Sequence, residues 1–128
     1  MSKLIVTVGL PRSGKSTWAK TQGYPIVNPD AIRLALHEKT FLARAEPWVW
    51  AMAYTMVEAL YLAGHKIVIV DATNTTEKRR KEWADRFENV EFKVFDTPKE
   101  ECIQRAEATG KPELIPVIER MAAQWEPL

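Results

Sequence analysis

The chain has 128 residues and a single cysteine, and its 18 Lys and Arg against 17 Asp and Glu give a formal net charge of +1. This length predicts one domain, residues 1–128, with room for a proper core. The small charge argues against a broad nucleic-acid surface, which neutralises many phosphates, but it leaves room for a small site that reads one chain end or one nucleotide. Because Cys102 has no partner for a disulfide, we expect a reducing, intracellular setting.

Short apolar runs alternate with helical patterns along the whole chain. The predicted strands are 3–8, 25–28, 66–71 and 90–95, and the predicted helices are 15–22, 30–40, 47–63, 76–87, 98–108 and 113–125. This alternation is typical of βαβ units, so we predict an α/β fold with a small parallel sheet of about four buried strands and helices on both faces. The N-terminus lacks a signal-peptide pattern and no apolar stretch reaches the ~20 residues of a membrane span, so we expect a cytoplasmic protein without membrane contact.

The first strand leads into Gly9-Leu10-Pro11-Arg12-Ser13-Gly14-Lys15-Ser16-Thr17, which fits the phosphate-loop (P-loop) pattern GxxxxGK[ST]. A strand that turns through glycines into a helix points backbone N–H groups and the positive helix end at one place. Lys15 can then reach the β- and γ-phosphates of a nucleoside triphosphate, and the Ser16 hydroxyl can ligate Mg²⁺. We expect ATP to be bound by Gly9, Pro11, Arg12, Ser13, Gly14, Lys15, Ser16 and Thr17.

Arg12 stands where a glycine would be unremarkable in this loop. We therefore expect its backbone to take a conformation that is open to residues with side chains. Its guanidinium adds charge near the phosphates, and its direction, towards nucleotide or solvent, stays open.

The second strand ends in Asn28-Pro29-Asp30-Ala31-Ile32-Arg33. Two roles are open for Asp30: the N-cap of the next helix, or a general base that accepts the proton of an attacking hydroxyl. Arg33 lies one helical turn later on the same face, where it can bind a phosphate of the acceptor or pair with Asp30.

The aromatic helix 47–63 is apolar nearly all round. Its residues predict a crossover helix packed on the sheet, with a second face against a neighbouring helix or another subunit, so that a homo-oligomer through this helix is possible. Alternatively, one or two aromatic side chains form a wall on which an acceptor base stacks.

The third strand ends in Val70-Asp71-Ala72-Thr73-Asn74. A carboxylate directly after a strand beside a P-loop is placed to orient Mg²⁺ or its waters, whereas the neighbouring threonines can supply the helix cap. In the following helix, Arg79 or Arg80 can reach back towards bound phosphates. After the fourth strand, Arg105 and the basic segment 105–115 can close over the nucleotide as a lid.

These blocks together resemble the kinase domain of bacteriophage-type polynucleotide 5′-hydroxyl kinases. The resemblance rests on the P-loop continued by Trp18-Ala19, then Asn-Pro-Asp-Ala-Ile-Arg, then Val-Asp-Ala-Thr-Asn with Arg79-Arg80, then Phe95-Asp96-Thr97-Pro98, and it runs from about residue 3 to 121. It implies ATP and Mg²⁺ as cofactors and the 5′ end of a nucleic acid as substrate. It also implies the host cytoplasm as the location if a phage encodes the chain.

The resemblance implies a role for each matching residue. Lys15 and Ser16 serve the ATP phosphates and Mg²⁺, Asp30 activates the acceptor hydroxyl, Arg33 contacts the acceptor's phosphate, and Arg105 is the lid arginine. Two departures concern substrate binding. Thr109 stands in place of a second lid arginine, and Lys111 is a possible substitute that lacks the bidentate fork of an arginine. The region between Arg33 and Asp71 is shorter than in the bacteriophage enzyme.

Two other functions stay open from the sequence. One is a kinase of the same fold for a small molecule, such as a nucleoside, a nucleotide or a hydroxymethylated base, which the low net charge favours. The other is a nucleotide-binding regulatory module without turnover, which would need neither Asp30 nor Arg33.

Overall fold

The computed structural model describes residues 2–38 and 41–128. The strands are β1 (Lys3–Val8), β2 (Ile26–Val27), β3 (Ile67–Val70) and β4 (Val90–Val94), all parallel in the order β2-β3-β1-β4. The helices are α1 (Lys15–Thr21), α2 (Pro29–His37), α3 (Glu46–Leu62), α4 (Glu77–Arg86), α5 (Lys99–Ala108) and α6 (Ile115–Ala123), with 3-10 turns at Ala43–Ala45 and Pro112–Leu114. The predicted α/β class and parallel sheet are confirmed. The predicted end of the second helix near Thr40 lies outside the described residues.

Alternate residues of the two central strands pack against helices on opposite faces of the sheet, as the period of a strand requires. One face, which carries Leu4 and Val6, packs on α2, α3 and α4. The other face, which carries Ile5 and Ile69, packs on α1 through Ala19. The continuous apolar runs of β1 and β3 are explained by this double cover.

The fourth strand differs from its prediction as a buried strand. It forms an edge of the sheet, and Glu91 and Lys93 are exposed while Val90, Phe92 and Val94 are half-buried. An edge strand is covered on fewer sides than β1, so its outward positions take charged residues. The second strand is shorter than predicted because Asn28 leaves the strand to cap α2.

A separate apolar cluster lies under the C-terminal helices. Leu10 of the P-loop packs with Cys102 and Ala106 of α5 and with Ile118 of α6. The helix predicted at 113–125 begins at Ile115, because Pro116 cannot donate a backbone hydrogen bond and the preceding residues form a 3-10 turn. This cluster attaches α5, with Arg105, to the P-loop. Among the helices built from residues 2–38 and 41–128, none combines the length and apolarity that a bilayer crossing requires.

Candidate active site

Three strand ends are hydrogen-bonded to one another at the carboxyl edge of the sheet. The Gly9 N–H donates to the Thr73 carbonyl at 2.9 Å, and the Phe95 N–H donates to the Val8 carbonyl at 2.8 Å. The Thr97 hydroxyl donates to the Ser13 carbonyl at 2.8 Å. The P-loop is therefore held from both sides by the loops that follow β3 and β4, at the edge where open α/β sheets bind ligands.

Glycine is needed at two places in the P-loop. Gly14 immediately precedes α1 and has a φ of +103°, a backbone conformation that is strained for residues with side chains. A Cβ on Gly9 would lie 2.7 Å from Ser13 Oγ and 3.0 Å from Phe95 Cβ. Pro11 is half-buried and Thr17 is exposed.

Lys15 is folded back over the loop. Its ammonium donates to the Leu10 carbonyl at 2.7 Å and to Ser13 Oγ at 3.5 Å. Burial lowers the pKa of Lys15 to about 8, although the nearby Asp71 carboxylate opposes the shift. A triphosphate in the loop would raise this pKa again and give the ammonium a stronger partner than a carbonyl.

Arg12 departs from its prediction. Its φ is +66°, which is the left-handed region that glycine prefers, rather than a conformation ordinarily taken by residues with side chains. Such a backbone costs roughly 1 kcal/mol for an L-residue. The Arg12 carbonyl accepts a hydrogen bond from Arg105 Nη1 at 3.1 Å, so the strained residue links the loop to α5.

The carboxylate that follows β3 lies beside the first turn of α1. Ser16 Oγ donates to Asp71 Oδ2 at 2.7 Å, and Asn28 Nδ2 lies 3.4 Å from the same oxygen. Asp71 is buried, and the cap of α4 is Thr76, so Asp71 has no capping role. A hydroxyl and a carboxylate are the hard oxygen donors that Mg²⁺ prefers, and Mg²⁺ usually completes its shell with waters and phosphates. Within residues 2–38 and 41–128, no group of three or more His, Cys, Asp or Glu is placed to hold a metal.

The N-cap of α2 is Asn28 and not Asp30. Asn28 Oδ1 accepts from the Asp30 N–H at 2.8 Å and from the Ala31 N–H at 3.4 Å. The capping role left open for Asp30 is therefore wrong, and its carboxylate, 71% exposed, is available at the surface. Arg33 Nη1 donates to Asp30 Oδ1 at 2.7 Å, as the helical spacing predicts.

Glu46 is a site residue that the motifs did not indicate. It is the first residue of α3, and its carboxylate accepts hydrogen bonds from Arg33 Nε and Nη2 at 2.8 and 2.7 Å. The hydrogen bond from Arg33 holds the pKa of the Glu46 carboxyl below its ordinary value in spite of partial burial. Its one sequence signal is position, because it is an acidic residue directly before the predicted helix 47–63.

Arg105 lies against the P-loop. Its Nη1 donates to the Arg12 carbonyl and lies near Gly14, where an added Cβ would be 3.8 Å away. Its Nη2 pairs with Glu101 at 2.8 Å. The Thr109 hydroxyl donates to the Arg105 carbonyl at 2.9 Å, so Thr109 completes the helix end instead of facing the site. Lys111 is exposed.

The two arginines of α4 separate into different roles. Arg79 lies over the Trp50 ring, with its Cζ 3.7 Å from the ring centroid. Arg80 is buried and donates to the Asn74 carbonyl at 3.1 Å and the Glu126 carbonyl at 2.6 Å, where it anchors the end of the chain. Arg80 therefore does not reach towards bound phosphates.

The aromatic helix is divided between core and surface. Val49, Ala53, Tyr54 and Val57 are buried in the main core. Trp48 is 66% exposed and Met52 40% exposed, so the helix also presents apolar side chains to solvent.

Comparison with known proteins agrees with this arrangement. A bifunctional polynucleotide phosphatase/kinase of Schizosaccharomyces pombe (strain 972 / ATCC 24843) is 34% identical over 96 residues, which cover 72% of this chain and 20% of that protein. A solved structure of a Pnkp1/Rnl/Hen1 complex matches with a TM-score of 0.72 and 33% identity over 81% of this chain and 38% of the matched chain. A gluconokinase from Sinorhizobium meliloti 1021 shares the fold, with a TM-score of 0.66 at 20% identity over 98% of this chain and 75% of that one.

The chain thus spans about one fifth of the curated relative that it matches. The resemblance to polynucleotide kinases that the motifs indicate is confirmed, and the fold is that of P-loop kinases, which include enzymes for small molecules. The family model described as "AAA domain" matches residues 4–128, and this chain belongs to that family.

Proposed function

We propose that this chain is an ATP-dependent kinase that transfers the γ-phosphoryl group to the 5′-hydroxyl end of a polynucleotide. One observation carries the proposal: Asp30 is exposed, is released from capping by Asn28, and is paired with Arg33 at the strand end beside the P-loop. A nucleotide-binding switch would need no such acceptor base. The motif resemblance and the relatives named for polynucleotide kinase activity favour a nucleic-acid acceptor.

In the proposed reaction, Asp30 accepts the proton of the 5′-hydroxyl while the oxygen of that hydroxyl forms a bond to the γ-phosphorus. The bond from that phosphorus to the β–γ bridging oxygen breaks, and ADP leaves. Lys15 and Arg105 bind the donor phosphates and Arg33 binds a phosphate of the acceptor. Ser16 and Asp71 would hold Mg²⁺, directly or through water, and the ion would supply positive charge to offset the negative charge of the donor phosphates.

The wider assignments belong to the same proposal. Residues 1–128 act as one kinase domain, segment 105–115 closes over the nucleotide, and the protein works in the cytoplasm. The exposed side of α3, with Trp48 and Met52, supports contact with a second copy of the chain.

The acceptor is tested by incubating the protein with labelled ATP and Mg²⁺, separately with a 5′-hydroxyl oligonucleotide and with a panel of nucleosides and small hydroxyl compounds. Label on the oligonucleotide is the expected result. Label on small molecules alone would contradict the polynucleotide as acceptor and indicate a small-molecule kinase. ATP binding without transfer would indicate a regulatory module. An oligonucleotide already phosphorylated at its 5′ end is the control, because it offers no acceptor hydroxyl there.

A further inference from the structure

Arg33 is held on one edge by Glu46. The two Glu46 oxygens accept separately from Nε and Nη2, which is the bidentate geometry that fixes the plane of a guanidinium. The pair joins α2 to the start of α3, and the two side chains are only 14% and 18% exposed. A long, flexible side chain is thereby ordered before any ligand arrives.

The hydrogen-bond donors of Arg33 are not all consumed by these contacts. A guanidinium has five N–H groups. Glu46 accepts one from Nε and one from Nη2, and Asp30 accepts one from Nη1. Two N–H groups, one on each terminal nitrogen, are left for another anion. A phosphate can therefore bind Arg33 while the contacts with Glu46 stay in place.

Trp50 lies one helical turn after Glu46 on α3 and also faces Arg33. The Arg33 Cζ lies 5.9 Å from the Trp50 ring centroid, and Arg79 stacks on the same indole. Arg79 is itself held by Glu82, whose Oε2 accepts from Arg79 Nη1 at 2.9 Å and from the Tyr54 hydroxyl at 2.8 Å. The aromatic surface and its neighbours thus restrict the guanidinium of Arg33 from a second direction.

We propose that Glu46 is a positioning residue that orients Arg33 to bind the acceptor's phosphate, so that the 5′-hydroxyl is delivered to Asp30. This inference rests on the proposed function. Pre-ordering lowers the entropy cost of acceptor binding, since the Arg33 rotamer is already selected. An opposite arrangement, in which Glu46 masks Arg33 and competes with the phosphate, predicts the opposite sign for the effect of removing its charge.

The test compares wild type with Glu46→Gln on two acceptors, a nucleoside 3′-phosphate with a free 5′-hydroxyl and the same nucleoside without the phosphate. We expect Glu46→Gln to raise KM for the phosphorylated acceptor roughly tenfold, with KM for ATP unchanged. The penalty should be absent with the unphosphorylated nucleoside, and combining Glu46→Gln with Arg33→Met should cost no more than Arg33→Met alone. A lower KM in Glu46→Gln, or an equal penalty on both acceptors, would overturn the inference.

Glu91→Gln is the control, because it removes a carboxylate whose ion-pair partner is Lys3 and not Arg33 or Arg79. Thermal unfolding of each variant checks that the fold is intact. Calorimetric titration with the nucleoside 3′-phosphate, in the absence of ATP, separates this inference from the proposed function. Tenfold weaker binding to Glu46→Gln than to wild type upholds the role of Glu46 even if no transfer occurs, whereas wild type that binds no nucleoside 3′-phosphate contradicts it.

Discussion

The proposed donor side and the proposed acceptor side of the site are built in different ways. On the donor side, a contiguous loop arranges backbone groups, and even its cations, Lys15 and Arg105, contact backbone carbonyls. On the acceptor side, the chemistry lies in side chains from two helices, and Arg33 meets Glu46 across 13 positions of sequence. The donor side therefore depends chiefly on the backbone geometry of the P-loop, to which Arg105 is added by a tertiary contact, and the acceptor side depends on ion pairs between side chains. Substitutions can affect one side without the other.

Gly9→Ala should damage the donor side most strongly. The new Cβ would approach Ser13 Oγ to 2.7 Å and Phe95 Cβ to 3.0 Å, so the loop must shift. We expect roughly 30-fold weaker ATP binding, equivalent to about 2 kcal/mol, while the acceptor still binds. Calorimetry with each ligand measures both. Gly64→Ala is the control, since Gly64 has a φ of +101° and open space around it, and it should lower stability alone.

Raising the pH should weaken the donor side by about tenfold between pH 7 and 9. The pKa of Lys15 is lowered to about 8 in the free protein, so the ammonium loses its proton as the pH rises through that value, and ATP binding must restore it. The unfolded chain keeps its Lys15 proton up to its ordinary pKa, so this group makes the free energy of unfolding rise over the same window. The titration of Lys15 therefore does not itself unfold the protein in this window, and thermal unfolding at each pH checks the rest of the molecule. Titrations of wild type and Lys15→Arg test this, and a flat profile for wild type would contradict it.

Asn28→Ala should have a smaller effect that reaches both sides. Asn28 caps α2 and lies against Asp71, so its loss should cost about 1 kcal/mol of unfolding free energy and lower the transfer rate several-fold. Thr76→Ala removes the cap of α4 and should cost a similar stability without the loss of rate. Chemical denaturation and steady-state kinetics of the pair are the measurements. Equal rates for the two variants would show that Asn28 is only a cap.

The sheet and the P-loop could be predicted because their signals are local. The β-branched run of β1, followed by Gly14 and Lys15, predicts a strand, a turn and a helix whatever the rest of the chain does. The exposure of β4 could not be predicted in the same way, since a strand's place at the edge of a sheet depends on what packs beside it. The left-handed backbone of Arg12 was likewise missed, because its tertiary contact with Arg105 is not a property of neighbouring residues.

The acceptor side was predicted only in part. The spacing of Asp30 and Arg33 predicts their contact, and Pro29 at the first helical position is a sequence signal, left unused in the prediction, that makes Asn28 rather than Asp30 the cap. Glu46 has no motif, and its role depends on the angle at which α3 meets α2. Ion pairs between helices follow from packing, and packing is not encoded by any one segment.

The most direct test of the account is the rate of phosphoryl transfer by Asp30→Asn, measured in a single turnover with a 5′-hydroxyl oligonucleotide at saturating ATP. The amide keeps the size of the side chain and removes the base, so we predict a rate at least about 100-fold below wild type with ATP affinity unchanged. Asp85→Asn, which removes an exposed carboxylate from α4, serves as the control and should match wild type. A transfer rate near that of wild type in Asp30→Asn would contradict the assignment of Asp30 as the acceptor base.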